Sequence, residues 1–336
     1  MIWESNKDLR NHNTFGVSAK CAYFTTVHSV AEVETAVREA PAPILLLGGG
    51  SNVLFTGDLP AAVLHMALPG IHIVQETSDQ VHVAVGGGVR WHDLVLWAVS
   101  HGYGGIENLA LIPGNAGAAP IQNIGAYGVE VASVIEAVEA YDLQNKEVLR
   151  FPSEVCEFGY RTSVFKTDYR NKLLILRLHL RLNKHPVLHL EYGAIRDELS
   201  YMGIAHPDVR SVSQAVIRIR QSKLPDPAKL GNAGSFFKNP VVSRAVYEDL
   251  LSKYPAMPHY PVDDSQVKIP AAWLIDQLGW KGHRQGDAGV HHRHALVLVN
   301  YGTATGQQLI ELSSSIRHSV HERFGIVLET EVNIVG

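Results

Sequence analysis

Cysteine is nearly absent. The 336 residues hold two, Cys21 and Cys156, and they share no metal-type spacing. Both read as small core residues, and such sparse usage fits a reducing compartment. Excess basic charge is absent too. The formal net charge of −4 gives no general attraction to nucleic acid or to an anionic membrane. An anionic substrate would therefore need a local basic site. No apolar run approaches bilayer length, so no membrane association is expected. The opening MIWESNKDLRNHN is polar and lacks the apolar core of a signal peptide. A soluble cytoplasmic protein is the expectation.

What is present is apolar patterning. Hydrophobic residues make up 46% of the chain and charged ones 18%, which suits a well-buried globular protein and argues against disorder. The length predicts two or three domains. CAYFTT (21–26) reads as a strand. SVAEVETAVREA (29–40) reads as a helix with Ser29 and Glu32 in a capping box. PAPILLLGGGSNVLF (41–55) gives a strand and a glycine turn. VHVAVGGG (81–88) is a strand, and WHDLVLWAVSHG (91–102) a helix stopped by Gly102. In LLILRLHLRL (173–182), Leu174, Leu176, Leu178, Leu180 and Leu182 should share one face, with Arg177, His179 and Arg181 opposite. IPAAWLIDQLGW (269–280) is helical, ALVLVN (295–300) a buried strand, and GQQLIELSSSIRHSVHERFG (306–325) a helix with one apolar stripe. IVLETEVNIV (326–335) alternates as a strand does. No long-period repeat is visible.

Several motifs carry chemistry. GGGSN (48–52) follows a strand, but a Rossmann pyrophosphate loop needs a helix next, and VLF is β-like. GGGVRW (86–91) does enter a helix, but Trp91 takes the slot of the final glycine. No glycine run ends in a Walker Lys-Ser/Thr. GGGSN therefore remains either an anion nest built from N–H groups with Ser51 and Asn52, or a plain strand connection. IPGNAGAAPIQNIGAYGVE (112–130) has small residues that admit a flat ligand, and Gln122 and Asn123 offer donors and acceptors to a heterocycle edge. Arg161, in FGYRTSVFK, is a surface ion-pair partner or a buried carboxylate binder. Glu329 and Glu331 project from one strand face, which is either solvated or an acid–base site; the pattern does not choose. HHRH (291–294) lacks a fourth ligand for structural zinc, so no metal is expected. In GNAGSFFKNP (231–240), Ser235 could be a nucleophile, a phosphate ligand, a proton donor or the middle of a turn.

Taken in order, GGGSN, IPG…PIQNIGAYG, FGYR, SKLPDP, GNAGSFFKNP, HALVLVN and LETEV resemble the UDP-N-acetylenolpyruvoylglucosamine reductase family. The resemblance runs from about Asn13 to Val335. It implies an α+β fold: a two-lobed FAD-binding domain of the vanillyl-alcohol oxidase or cresol-methylhydroxylase (PCMH) type, and a C-terminal α/β lobe for the UDP-sugar. The implied boundaries are an N-terminal segment 1–16, an FAD domain 17–183 with subdomains at about 17–66 and 67–183, and a substrate domain 184–336. NADPH would reduce non-covalently bound FAD, and hydride would then pass to C3 of UDP-N-acetylglucosamine enolpyruvate, giving UDP-N-acetylmuramate for the bacterial cell wall. A monomer is implied.

By resemblance, Arg161 and Glu331 polarise the substrate carboxylate, and Ser235 gives a proton to C2. That match separates Glu331 from Glu329. Donors of this kind contribute about 3–4 kcal/mol each. Gly48, Gly50, Ser51, Asn52, Pro113, Gly114, Gln122, Asn123, Ile124 and Gly125 match FAD positions. Lys223, Asn239 and Tyr260 match substrate positions. Tyr192 matches the tyrosine loop of the longer subtype. Asn115, His294 and Asn333 depart from the common pattern. The competing readings are another FAD oxidoreductase of the same fold, which would lack the Arg161, Ser235 and Glu331 set, and a non-catalytic UDP-sugar-binding flavoprotein.

Overall fold

The computed structural model describes the chain from Met1 to Gly336, the surroundings of Gly193 excepted. It divides into two compact units. The first comprises Met1–Lys7, Cys21–Gly49 and Pro60–Ser222, and the second Asp8–Lys20, Gly50–Leu59 and Lys223–Gly336.

The first unit is built on two sheets. One has the strand order Glu4–Asp8, Lys20–Val27, Leu59–Met66, Ile44–Leu47, the last two parallel. Its helix, Val30–Glu39, starts at Ser29, whose Oγ accepts from the Glu32 N–H at 3.2 Å. Glu32 reaches past Ser29 to accept from the His28 N–H at 2.7 Å, so the reciprocal half of the capping box is shifted by one residue.

The second sheet is antiparallel, in the order Glu147–Pro152, Ile135–Asp142, Leu173–Asn183, Gln80–Gly86, Ile71–Glu76. At its centre the expected single leucine stripe is broken. Register runs from Arg177 opposite Glu139 directly to Ile175 opposite Ala140, so Leu176 is an extra residue in a bulge. Parity flips there. Leu178, Leu180 and Leu182 face the main core with Ile175, while Leu174 and Leu176 join Val27, Leu64, Met66 and Tyr141 in a second core. The bulge lets one strand feed two cores, which a strict period of two cannot do. Opposite, Arg177 Nη1 donates to Glu139 at 2.6 Å, and His82 and Glu136 are 2.8 Å apart.

Helices Trp91–Ser100 and Val209–Lys223 close the main core with Leu94, Val95, Val212, Val216 and Ile219. Cys21 and Cys156 are free and buried, and burial pushes the Cys156 thiol up to about 11.

The second unit carries a sheet ordered Gly231–Ser235, Val297–Asn300, Ala288–Val290, Arg284–Gln285. Beside it lies a three-stranded ribbon, Val241–Ser243, Gln266–Lys268 and Tyr260–Pro261. Helix Gly306–Phe324 opens on a complete capping box between Thr305 and Gln308 and stops at Gly325, in the left-handed region at φ 66°. Its stripe of Leu309, Leu312, Ile316, Val320 and Phe324 is buried, each side chain contributing roughly 1.5–3 kcal/mol.

Residues 326–335 do not form the continuous strand that their alternation predicts. Only Asn333–Val335 is a strand, parallel to Val53–Phe55, and Thr330 makes a single bridge to Phe237. The segment changes partner midway, so its two halves follow different edges. Among the described residues, no helix is long and apolar enough to cross a membrane.

Candidate active site

In the first unit, the N–H groups of Gly48 and Gly49 donate to nothing among the described residues. A Cβ on Gly48 would meet open space. One on Gly49 would lie 2.8 Å from Asn115 Oδ1 and 3.1 Å from Gly114 Cα. Glycine here lets two loops approach, and the two N–H donors stay unpaired among the described residues, as an anion nest requires. Asn115, one of the departures, is therefore the residue against which the turn rests. Gly114 is left-handed at φ 105°, its carbonyl accepts from Trp91 N–H, and Pro113 before it is exposed.

Arg161 is wired by main chain. Its Nη2 donates to Gly125 O at 3.0 Å and its Nη1 to Asn123 O at 3.5 Å, with its charge over the Tyr160 ring. A Cβ on Gly125 would fall 3.3 Å from Nη1, so glycine makes room for the guanidinium. The backbone of Arg161 is left-handed at φ 56°, a conformation costing about 1–3 kcal/mol that persists only where surroundings impose it. Lys166 Nζ helps by donating to the Arg161 carbonyl at 3.1 Å.

The side chain of Asn123 is fully engaged inside the unit. Nδ2 donates to Glu130 at 2.7 Å and to Gly159 O at 3.1 Å, while Oδ1 accepts from Ala132 N–H. It shapes the loop, and only its main chain is left for a heterocycle. Gln122 is half-buried beside it, and Ile124 packs on the core. Tyr192 is half-exposed, its ring meeting the edge of Tyr127 at 5.6 Å and 81°.

One residue escaped the motif reading. Arg220, on helix Val209–Lys223, has a buried Nε with no hydrogen-bond partner among the described residues. Burial lowers its pKa, the phenol of Tyr127 opposes that shift, and like charge from Arg161 adds to it. A buried cation without a carboxylate is costly, and a bound anionic group would offset it. With the open N–H groups of Gly48 and Gly49, this makes the unit suited to a large anionic cofactor with a flat ring system, as FAD is. A signal was available in the sequence: IRIR places Arg220 one residue from the buried Ile219, on a helix face that should be apolar.

In the second unit, Gly50 is left-handed at φ 62°, and a Cβ there would strike His12 O at 2.0 Å. Asn52 joins the turn to the C-terminal segment: its Nδ2 donates to Glu331 O at 3.2 Å, and its carbonyl accepts from Asn333 N–H and Nδ2 at 3.1 and 3.0 Å. Asn333, a departure from the usual pattern, thus has a structural partner of its own. Ser51 is half-buried between them.

Ser235 ends its strand next to Gly234, left-handed at φ 71°. Its neighbours are anchored: Phe236 and Phe237 are buried, Phe236 N–H donates to Leu296 O, and Phe236 O accepts from Glu331 N–H at 2.8 Å. This brings Glu331, Asn52 and the Ser235 turn together. Ser235 is half-buried, and its hydroxyl makes no hydrogen bond, to histidine or otherwise, among the described residues. Glu329 points elsewhere, its exposed carboxylate holding Lys238 Nζ at 2.8 Å, whereas Glu331 is half-buried. The broken strand is what separates the two glutamates.

Lys223 is exposed and faces His294, whose pKa is lowered by burial and by that lysine. Burial and three neighbouring basic residues bring His291 down to about 4. Asn239 Oδ1 accepts from Ala271 N–H at 3.0 Å, fixing the start of helix Ala271–Gln277 and leaving Nδ2 for a ligand. Tyr260 is half-exposed on the ribbon. Among the described residues, no group of three or more His, Cys, Asp or Glu side chains is placed to hold a metal.

Comparisons with known proteins cover both units. Residues 21–151 match the FAD binding domain family, and residues 226–335 match the UDP-N-acetylenolpyruvoylglucosamine reductase C-terminal domain family. A UDP-N-acetylenolpyruvoylglucosamine reductase from Flavobacterium johnsoniae is 46% identical, over 99% of each chain. One from Pseudomonas fluorescens is 48% identical, over 97% of this chain and 96% of its own. Among solved structures, the reductase of that name from Thermus caldophilus covers 100% of both chains at 25% identity, with a TM-score of 0.70. A 4-ethylphenol oxidase from Gulosibacter chungangensis, 12% identical, covers 97% of this chain and 84% of its own, with a TM-score of 0.50; it shares the fold alone. The FAD-domain architecture expected for the chain is therefore the one it has.

Proposed function

The chain belongs to the UDP-N-acetylenolpyruvoylglucosamine reductase family, and from that premise we propose that it reduces UDP-N-acetylglucosamine enolpyruvate to UDP-N-acetylmuramate at the expense of NADPH. FAD, when bound, would supply the hydride chemistry that links NADPH to C3 of the enolpyruvyl group. The residues proposed to hold it are Gly48, Gly50, Ser51, Asn52, Pro113, Gly114, Gln122, Asn123, Ile124 and Gly125; the functional boundaries proposed are 17–183 for FAD and 184–336 for the substrate, whereas the compact units assign residues through Ser222 to the first and Gly50–Leu59 to the second.

The observation that carries the reading is the state of Ser235. A serine nucleophile needs a base to take its proton. Ser235 has none among the described residues, yet its main chain is held in register with Val297, and the next residue, Phe236, accepts from the Glu331 N–H. That suits a proton donor. Serine is a very weak acid, so it transfers a proton only to a strongly basic centre. Hydride arrival at C3 creates one, because negative charge builds at C2 and spreads onto the adjacent carboxylate. Arg161, aimed by the Gly125 and Asn123 carbonyls, binds that carboxylate. Glu331, in its protonated form, would donate a hydrogen bond to it. Both act most strongly on the charge that develops during reaction, which is the condition for lowering the barrier.

Lys223, Asn239, Tyr260 and Tyr192 bind the nucleotide sugar. Lys223 supplies local positive charge that the net charge of −4 conceals. The protein works as a cytoplasmic monomer on a small-molecule substrate, with no nucleic-acid or membrane partner. The test is NADPH oxidation by the purified yellow protein, with and without UDP-N-acetylglucosamine enolpyruvate. Consumption should depend on the sugar and match it mole for mole. A colourless protein, or NADPH use indifferent to the sugar, would overturn the assignment.

A further inference from the structure

Residues 185–191 have neither helix nor strand. Leu188 and Leu190 rest on the core, while Val187 is exposed. Such apolar contacts are non-directional and do not fix the position of a backbone. Among the described residues, one hydrogen bond reaches the main chain of this segment: Asn108 Nδ2 donates to His189 O at 2.9 Å.

Asn108 is 1% exposed, in the short turn Glu107–Leu109 that leads to the Ile112-Pro113-Gly114 loop. Its other amide proton goes to Tyr127 O at 3.0 Å. Both groups around Nδ2 are carbonyls, so the amide orientation is fixed. One planar nitrogen thus joins two loops. Tyr127 is itself left-handed at φ 51°, and its ring packs edge-on against Tyr192. The connection is closed: Asn108 to Tyr127, Tyr127 ring to Tyr192, and back through His189.

We propose that Asn108 is the positioning residue for Tyr192, holding the 185–192 loop in register with Tyr127 so that the phenol is presented to the UDP-sugar. This rests on the reading of Tyr192 as a substrate contact. Asparagine is suited because it places two donors at one point. Serine has one and leucine none, and aspartate would set its oxygens against two carbonyls.

The test compares holoenzyme carrying Asn108→Leu, Asn108→Ser, Tyr192→Ala, and the Leu–Ala pair. For Asn108→Leu, the KM for UDP-N-acetylglucosamine enolpyruvate should rise roughly tenfold, the scale of losing two buried hydrogen bonds that cooperate. Bleaching of the flavin by NADPH should stay within about twofold, and limited proteolysis within 185–191 should accelerate, because a loop released from its anchor is cut more readily. Asn108→Ser, with one donor kept, should fall between. The double variant should be no worse in KM than Tyr192→Ala, because one residue acts through the other. Unchanged KM and unchanged cleavage within 185–191 in Asn108→Leu would overturn the proposal. So would loss of FAD in both Asn108 variants, which would make the residue a support of the cofactor domain. Should Tyr192→Ala alone leave KM unchanged, the substrate role of Tyr192 falls, and proteolysis within 185–191 decides separately whether Asn108 holds the loop.

Discussion

Two glycine triplets follow strands in this chain, and the structure uses them in opposite ways. In Gly86–Gly88 every N–H donates to main chain: Gly86 to Gly70 O at 2.8 Å, Gly87 to Leu176 O at 2.7 Å and Gly88 to Leu68 O at 2.9 Å. A Cβ on any of the three would lie within 2.5 Å of backbone atoms. At the other triplet, Gly48 and Gly49 donate to nothing among the described residues, and Gly48 faces open space. The first triplet consists of packing glycines, removed from chemistry by their own hydrogen bonds. The second leaves its donors unpaired among the described residues, at the turn proposed to hold FAD. Identical letters thus encode a seam and a cradle, and the hydrogen-bond inventory tells them apart.

A graded alanine series would break or sharpen this comparison. Gly87→Ala should have the largest effect on folding, since its Cβ would sit 2.5 Å from Ile175 O. Overpacking of this kind costs about 1–3 kcal/mol, lowering Tm by roughly 2–12 °C. Gly117→Ala should cost less, on the order of 1 kcal/mol, because its nearest contact, Gly87 O, would be at 3.0 Å. Gly48→Ala should leave Tm of the apoprotein within about 2 °C yet weaken FAD binding about tenfold or more, a loss of roughly 1.4 kcal/mol or more. Thermal melts and flavin titrations read the two effects separately. FAD affinity untouched by Gly48→Ala, or a Tm untouched by Gly87→Ala, would mean the roles are misassigned.

Local rules read much of the fold correctly from sequence. Ser29 caps its helix, and the stripe from Leu309 to Phe324 is buried as its spacing predicts. Tertiary events were not legible. The bulge at Leu176 reverses a perfect alternation, because the strand must serve two cores. The LETEV segment alternates like a strand but changes edges, which gives Glu329 to Lys238 and leaves Glu331 beside the Ser235 turn. Local motifs singled out Arg161 and Ser235 as candidates but left their roles open, because spacing alone does not say what a side chain faces. The site was hidden where partners are remote in sequence. Asn108 sits in ENLAL, a run that looks like ordinary helix-forming residues, and its two carbonyl partners lie 19 and 81 positions away. Arg220 shows only as a charge out of place on an apolar face.

The central claim is that Ser235 is an acid used only after hydride has reached the substrate. Half-reactions of Ser235→Ala test it most directly. NADPH should bleach the flavin at a rate within about twofold of the parent, while subsequent oxidation by UDP-N-acetylglucosamine enolpyruvate should slow by a factor on the order of 10³, within the range for loss of a general acid. Equal loss of both half-reactions, or sugar reduction at the parent rate, would contradict the account.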